Sequence, residues 1–358
     1  MNLQDISAIR LHNQQISTSR HKSLQAVTGY MGALQAQDYT MAKWALGIRM
    51  PGCTDDDITL ALNKGKILRT HVLRPTWHFI SAKDIYWMLA LTAPHIKASM
   101  KFRDKELELT PEIYRKSNRI ITGLLDGGRH HNRSIIAAAL NEAGINTSEN
   151  RLSHLLAGAE LDGLICSGSL DNNKQTYALL EERVPVKKIL PREEALATLA
   201  QRYFESHGPA TLEDFTWWSG LPAKDARLAL EMIKKKFQEE KIAERSYWFK
   251  AETQIPAGER KRLFLLPAFD ELIVSYKDRS AILVPENHKR AVSVNGIFRP
   301  IIILDGKAAG LWKRIQDRKG IALETECFDP QQKIPASALH KAAQMLEHFW
   351  GQPIIIKS

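Results

Sequence analysis

The sequence has little cysteine and no long apolar run. Its 358 residues include three cysteines, which are too far apart for a CxxC zinc site, an iron–sulfur cluster or a disulfide framework: Cys53, Cys166 and Cys327. No stretch reaches the roughly 20 apolar residues that span a bilayer, and residues 1–20 contain no apolar core followed by a cleavage site. We therefore expect a protein of the reducing cytoplasm without a membrane partner.

Several enzyme signatures are also missing. The chain has no P-loop, no GxGxxG after a strand, no HExxH and no GxSxG. His130, His131 and His288 have no partners at metal-ligand spacing, and we interpret them as surface histidines. These absences predict a function that needs neither a metal nor an organic cofactor.

Positive charge is present in excess, with 50 Lys and Arg residues against 40 Asp and Glu residues and a formal net charge of +10. Such an excess favours an anionic partner, which is nucleic acid, a membrane surface or an acidic substrate. Hydrophobic residues make up 44% of the chain and charged residues 25%, so the chain has enough apolar material for buried cores.

The order of segments between residues 111 and 180 gives the clearest architectural signal. Three helical segments precede two strand-like segments: 111–125, 134–143, 148–161, 164–166 and 176–179. Gly144 and Gly163 end the second and third helices, and Ser148 is expected to cap the third. Helix, helix, helix and hairpin is the order of a winged helix-turn-helix unit.

The same order recurs over residues 192–250, and the first 100 residues fit a more elaborate copy, without obvious sequence identity. The last hundred residues instead contain four strand-like segments and a closing helix: 263–266, 281–284, 301–304, 321–325 and 335–349. We predict an α+β fold of about three tandem winged-helix units and a C-terminal β-rich domain. The predicted boundaries are 1–109, 110–188, 189–252 and 253–358.

Two local features concern the first unit. Residues 67–81 are rich in β-branched and aromatic side chains and predict two short strands broken near Pro75. Ser81 and Asp84 have the spacing of a capping box, with Asp in place of Glu, at the start of the next helix.

Gln35 and Gln37 form the most unusual polar pair. Two residues that are two apart lie on opposite sides of a helix but on the same side of an extended segment. If the helical run 23–34 ends near Leu34, the two amides can converge on one site. From the residues alone, the alternative is that both are ordinary polar residues at a helix end.

Four stretches together carry a family resemblance. They are the glutamine–apolar–glutamine run at 35–37, the Arg-x-Thr-x-His strand within 73–80 (LRPTWHFI), the segment 266–280 (LPAFDELIVSYKDRS), and Asn295-Gly296 followed by 302–312. This pattern resembles the AlkZ/YcaQ family of winged-helix DNA glycosylases, which excise alkylated bases and unhook interstrand cross-links. The resemblance runs through nearly the whole chain.

The resemblance implies a C-shaped array of three winged-helix units plus a β-barrel-like part, with double-stranded DNA carrying alkylated bases or cross-links in the concave face. It also implies that Gln35 and Gln37 are the catalytic pair. One branch of the family has a carboxylate at the second position, so Gln37 resembles the branch specialised for bulky cross-linking agents. Asp38 is adjacent and should point elsewhere in an extended segment.

The chemistry of two amides suits a good leaving group. A neutral amide is a poor general base, but its oxygen can hold a water molecule in place. A purine alkylated at N7 or N3 is cationic and departs as a neutral base, so it needs no acid catalyst. The amide oxygens can orient the water and stabilise the oxocarbenium-like sugar. Because no lysine stands out as a Schiff-base nucleophile, we predict a monofunctional glycosylase.

Further residues are candidates for contact with DNA. Arg74, Thr76 and His78 would share one face of a strand, with Arg74 and His78 touching phosphate or lesion; alternatively, His78 is a partly buried structural histidine. Asp270 and Arg279 either form a structural ion pair or border the DNA channel. The presumed recognition helix, a hairpin tip and a charge run supply the other candidates: Arg151, His154, Asn172, Asn173, Lys174, Lys187 and Lys188.

Two other functions stay open at this point. A winged helix does not imply an enzyme, and a non-catalytic transcription regulator would use the same fold. A regulator usually dimerises on paired half-sites, yet no heptad run is visible. The third hypothesis is a helper module within a repair assembly.

Overall fold

The computed structural model describes residues 1–242, 244–251, 262–317 and 320–357. The architecture is mixed α+β, as expected. No helix in the described ranges is both long and apolar enough to cross a membrane.

Fifteen α-helical segments are present in the described part of the chain. Those of the first half are α1 (Leu3–Asn13), α2 (Leu24–Met31), α3 (Tyr39–Arg49), α4 (Asp55–Asn63), α5 (Ile85–Glu106), α6 (Pro111–Leu125), α7 (Arg133–Glu142) and α8 (Arg151–Leu161). Those of the second half are α9 (Leu180–Arg183), α10 (Arg192–His207), α11 (Leu212–Ser219), α12 (Ala223–Ile233), α13 (Glu271–Val274), α14 (His288–Ala291) and α15 (Ala336–Trp350).

The strands of the described residues form four sheets. The first three sheets are built from β1 (Leu34–Gln35), β2 (Ile67–His71), β3 (Trp77–Ser81), β4 (His131–Asn132), β5 (Ile165–Ser167), β6 (Thr176–Leu179), β7 (Gln238–Ile242) and β8 (Arg245–Phe249). The fourth contains β9 (Leu263–Leu266), β10 (Ile301–Leu304), β11 (Lys307–Asp317), β12 (Gly320–Cys327) and β13 (Ile354–Lys357). The strand orders are β1-β3-β2, β4-β6-β5, β7-β8 and β13-β12-β11-β10-β9.

The fourth sheet corrects the barrel-like expectation. Its edge strands β13 and β9 do not pair with each other, so over the described residues the sheet is open. Residues 281–284, expected as a strand, form a turn because Ile282 and Leu283 bond back to the carbonyl of Arg279. This turn lies beside the sheet, and the Ala308 N–H of β11 donates to the carbonyl of Ile282.

Two expected caps are also replaced. The N-cap of α5 is Asp84 itself, without a side-chain capping bond, because its carboxylate instead accepts from the Trp87 indole and pairs with Arg202. The N-cap of α8 is Asn150 rather than Ser148. By contrast, Thr54 caps α4 in a capping box.

Three apolar cores hold the chain together, and two of them join distant segments. Helices α1–α4 share a core with the C-terminal sheet and α15, where the Trp44 indole donates to the carbonyl of Leu265 at 2.7 Å. Strands β2 and β3 and helix α5 share a core with α10–α12. The segment from α6 to β6 packs around a core of its own. The predicted boundaries at 109, 188 and 252 stay a prediction.

A tight loop between β2 and β3 positions the candidate site. Leu73 has a positive φ of 64°, and the Arg74 N–H bonds back to the carbonyl of Val72 at 2.8 Å. The α11–α12 turn packs against this loop, since a Cβ at Gly220 would lie 2.4 Å from the Leu73 carbonyl oxygen. Close backbone approach and a φ of 67° therefore require glycine at position 220.

A buried ion pair ties α3 to the C-terminal region. The Arg49 guanidinium donates two hydrogen bonds to the Asp270 carboxylate, at 2.8 and 2.9 Å, and both side chains are excluded from solvent. The expected pairing of Asp270 with Arg279 is therefore wrong. Arg279 instead donates to the Ile273 carbonyl at 2.9 Å and lies over the rings of Trp217 and Phe298, because Arg49 already occupies Asp270.

Replacing Arg49 tests how strongly this pair holds the two regions together. Arg49→Ala leaves the Asp270 carboxylate buried without its cation, so we expect the free energy of unfolding to fall by about 3–5 kcal/mol. Arg245→Ala removes the exposed pair with Asp278 and should cost less than about 1 kcal/mol. Urea unfolding followed by circular dichroism measures both, and equal decreases would contradict the assignment.

Candidate active site

The backbone is a strand at Leu34–Gln35 and bends at Gln37. Helix α2 ends at Met31, three residues before the end expected from the sequence. Strand β1 follows α2 and pairs antiparallel with β3, with Gln35 opposite His78. The Ala36 N–H continues this pairing by donating to the carbonyl of Trp77 at 2.7 Å. The two glutamines therefore flank a residue that is hydrogen-bonded to β3.

Gln35 is buried and its amide is oriented by a cation. The side chain is 6% exposed, and its Oε1 accepts a hydrogen bond from Arg74 Nη2 at 3.0 Å. Because a guanidinium has only donors, the atom facing Arg74 must be the amide oxygen. Burial lowers the pKa of Arg74, and the negative charge of Glu271 opposes that shift.

Gln37 lies at the solvent side of the same segment. It is exposed, and its Oε1 accepts a long hydrogen bond of 3.4 Å from the Trp77 N–H. Asp38 is the N-cap of α3 and accepts from the Met41 N–H at 3.0 Å. The neighbouring carboxylate is therefore committed to the helix, as expected.

The outer edge of β1 is completed by a carboxylate from the C-terminal region. Glu271 is 1% exposed, and its Oε1 accepts the Gln35 N–H at 2.5 Å. Its Oε2 accepts from Trp218 Nε1 at 3.2 Å and from the Ser275 hydroxyl. Burial alone would raise the pKa of Glu271, but the approach of His207 and the donors from Ser275 and Gln35 outweigh it and hold the value at about 2.

His78 is fully buried and lies opposite Gln35 on the neighbouring strand. Burial, with the adjacent Arg74 charge, lowers its pKa to about 3, so the ring is neutral at physiological pH. Nδ1 lies 2.9 Å from the Thr76 carbonyl and must carry the proton, because that carbonyl can only accept. Nε2 has no hydrogen-bond partner among the described residues, so the ring presents a free acceptor.

Arg69 supports the segment from the other side. Its Nε donates to the carbonyl of Ala36 at 2.9 Å, its Nη1 donates to Gln175 Oε1 at 2.5 Å, and its guanidinium lies 4.2 Å from the ring centroid of Trp77. Gln175 belongs to the loop between β5 and β6. The backbone between the two glutamines is thus tied to the hairpin of the middle segment.

Two candidate DNA contacts on α8 make intramolecular bonds. Arg151 donates to the carbonyls of Asn146 and Leu107, and His154 Nδ1 lies 2.6 Å from Asp104 Oδ1. These bonds tie α8 to the segments before it. The contact of both residues with DNA stays a prediction.

The remaining candidates lie on the surface. Asn172, Asn173 and Lys174 are exposed at the tip of the β5–β6 hairpin, where both asparagines have positive φ. Lys187 and Lys188 are exposed in the connection before α10, and Lys187 Nζ lies 3.8 Å from Glu181. Among the described residues, no contact joins any of these five side chains to Gln35.

The sequence argument missed Glu271 and Arg69. Glu271 lies inside the segment 266–280 that carried the resemblance, but nothing local distinguishes it from a surface glutamate next to Asp270. Arg69 alternates with buried residues in β2, which gives no sign of its bond to Ala36. Among the described residues, no group of three or more His, Cys, Asp or Glu side chains could hold a metal ion.

The chain is similar to known proteins over most of its length. The model of the family described as DNA glycosylase AlkZ-like matches residues 29–349. An interstrand DNA cross-link repair glycosylase from Streptomyces sahachiroi is 21% identical over 354 residues, which cover 94% of each chain. The solved structure of the Streptomyces sahachiroi DNA glycosylase AlkZ superposes with a TM-score of 0.81 at 20% identity, over 100% of both chains.

The structural likeness shows that the two proteins share a fold. The family match spans most of the chain and confirms the family expected from the four motif stretches. The chain belongs to the AlkZ-like family of DNA glycosylases.

Proposed function

We propose that this protein is a monofunctional DNA glycosylase that hydrolyses the N-glycosidic bond of cationic alkylated purines, of the N7-alkylguanine type, with interstrand cross-links among its substrates. The observation that carries the proposal is the Gln35–Gln37 segment itself. Its first two residues, Gln35 and Ala36, are paired with β3, and Arg74 orients the Gln35 oxygen. Interstrand cross-links are included because a relative that matches 94% of this chain is named as an interstrand DNA cross-link repair glycosylase.

The proposed roles follow from what an amide can do. Gln35 Oε1 has two lone pairs, of which Arg74 uses one. The second lone pair can accept from a water molecule, and the exposed Gln37 can approach the sugar of the lesion. An alkylated purine leaves as a neutral base, so neither amide has to transfer a proton. Orientation of water and stabilisation of the oxocarbenium-like sugar are then sufficient.

The proposed DNA surface combines three winged-helix units with the exposed hairpin tip. Double-stranded DNA would lie in a concave face, with phosphate contacts from Lys174, Lys187 and Lys188. Arg74 is hydrogen-bonded to Gln35 inside the site. We therefore propose that Arg74 affects the lesion through the Gln35 amide that it orients. No cofactor is required by this chemistry.

Base release from a defined substrate tests the catalytic pair. In duplex DNA containing N7-methylguanine, we expect the wild type to leave alkali-labile abasic sites under single-turnover conditions. Gln35→Ala and Gln37→Ala should each lower the rate by about 100-fold, because each removes one aligned dipole.

The matched control is Gln331→Ala, an exposed glutamine outside the site, which should keep the wild-type rate. Wild-type protein that releases no base from either N7-methylguanine or cross-linked duplexes would contradict the proposal. Sequence-specific binding without base release would then support a regulator.

The pH dependence tests the neutral-amide chemistry. The pKa of His78 is about 3 and that of Glu271 about 2, so His78 stays neutral and Glu271 stays ionised from about pH 6 to pH 8. We expect the single-turnover rate to vary by less than about twofold over this range. A rate that rises tenfold per pH unit would show a titrating general base and contradict the assignment.

The salt dependence of binding tests the basic residues. Replacing Lys174, Lys187 and Lys188 together by alanine should weaken binding to undamaged duplexes of any sequence. The slope of log K against log salt should become less steep, its magnitude decreasing by about 0.9 for each phosphate that the variant no longer neutralises. Lys341→Ala on α15 is the control. An unchanged slope in the triple variant would place the phosphate-binding residues elsewhere.

A further inference from the structure

Glu271 is a buried carboxylate outside the proposed catalytic pair, and it accepts a hydrogen bond from the Gln35 N–H. We propose that Glu271 is a positioning residue for base excision, which fixes the main chain of Gln35 and supplies the negative charge that balances Arg74. This inference rests on the proposed function for its catalytic part.

The bond to Gln35 closes the free edge of a sheet. Strand β1 is the edge strand in the order β1-β3-β2. The neighbouring N–H group, that of Ala36, faces β3 and donates to Trp77, so the N–H of Gln35 faces away from the sheet. An edge N–H normally meets water or another strand. Here it meets Glu271 Oε1 at 2.5 Å, 236 residues along the chain.

The second carboxylate oxygen is held just as firmly. The Trp218 indole donates to Oε2 at 3.2 Å, the Ser275 hydroxyl donates to the same atom, and His207 Nε2 lies 3.8 Å away. Each of these side chains is fully buried or nearly so. Donors surround the carboxylate, so a neutral amide at position 271 would present an N–H to at least one other N–H or O–H.

The charge of Glu271 also reaches the group that orients the Gln35 amide. Arg74 binds Gln35 Oε1 and is itself stabilised in its charged form by Glu271. One carboxylate therefore supports Gln35 twice: directly at its N–H, and through Arg74 at its side-chain oxygen. A small displacement of a group that aligns water is costly to the rate, which is why a positioning role follows from this geometry.

The test compares Glu271→Gln with a matched variant, Asp84→Asn. Asp84 is likewise buried, accepts an indole N–H from Trp87 and pairs with an arginine, but it makes no described contact with Gln35, Gln37 or Arg74. Hydrogen exchange of peptides covering residues 34–37 reports on the Gln35 N–H without any substrate. Single-turnover base release from N7-methylguanine duplexes reports on catalysis.

For Glu271→Gln we expect exchange over residues 34–37 to become at least about tenfold faster and base release about 10- to 100-fold slower. Affinity for undamaged duplex should stay within about twofold. Asp84→Asn should change neither exchange at 34–37 nor base release beyond its general effect on stability. If Glu271→Gln does not fold, Ser275→Ala removes one donor from the same carboxylate and should move both readouts in the same direction by a smaller factor.

Unchanged exchange at 34–37 in the Glu271 variant would overturn the proposal, and faster exchange with an unchanged rate would overturn its catalytic part. Equal effects of the Asp84 and Glu271 variants would assign them to destabilisation and also overturn it. If the wild type releases no base from any alkylated duplex, the proposed function fails, while hydrogen exchange still decides whether Glu271 fixes Gln35.

Discussion

Two adjacent carboxylates, Asp270 and Glu271, join the C-terminal region to the first fifty residues of the chain. Asp270 binds the Arg49 guanidinium at the end of α3, and Glu271 binds the Gln35 N–H just before α3 begins. Both are buried, and a buried charge is tolerated only where its partners are in place. The position of the Gln35–Gln37 segment therefore depends on the docking of a region more than two hundred residues away.

The same segment is restrained from two further directions. Arg74 reaches Gln35 from the tight β2–β3 loop, and the turn at Gly220 packs against this loop. Arg69 holds the carbonyl of Ala36 and contacts Gln175 in the middle hairpin. Residues from separate parts of the chain thus support one short strand, directly or through Arg69. Catalysis by neutral amides needs such restraint, because an amide acts through its placement rather than through proton transfer.

Much of the local structure was readable from the sequence. The two strands around Pro75 and the order of helices and strands between residues 111 and 180 depend on neighbours within a few residues, and the structure has both. The strand expected at 281–284 was wrong, because its apolar residues are buried in a turn beside the sheet. A short apolar run reports burial and does not distinguish a strand from a packed turn.

The sequence by itself determined the mixed α+β class and the order of helices and strands between residues 111 and 180, which follow from residues close together in the chain. Four motif stretches carried the resemblance to the family. Only the tertiary structure decided that Arg49 rather than Arg279 pairs with Asp270, that His78 is neutral and buried, and that Glu271 holds Gln35. Charge pairing and burial depend on which surfaces meet, and residue types alone do not specify a partner 236 positions away.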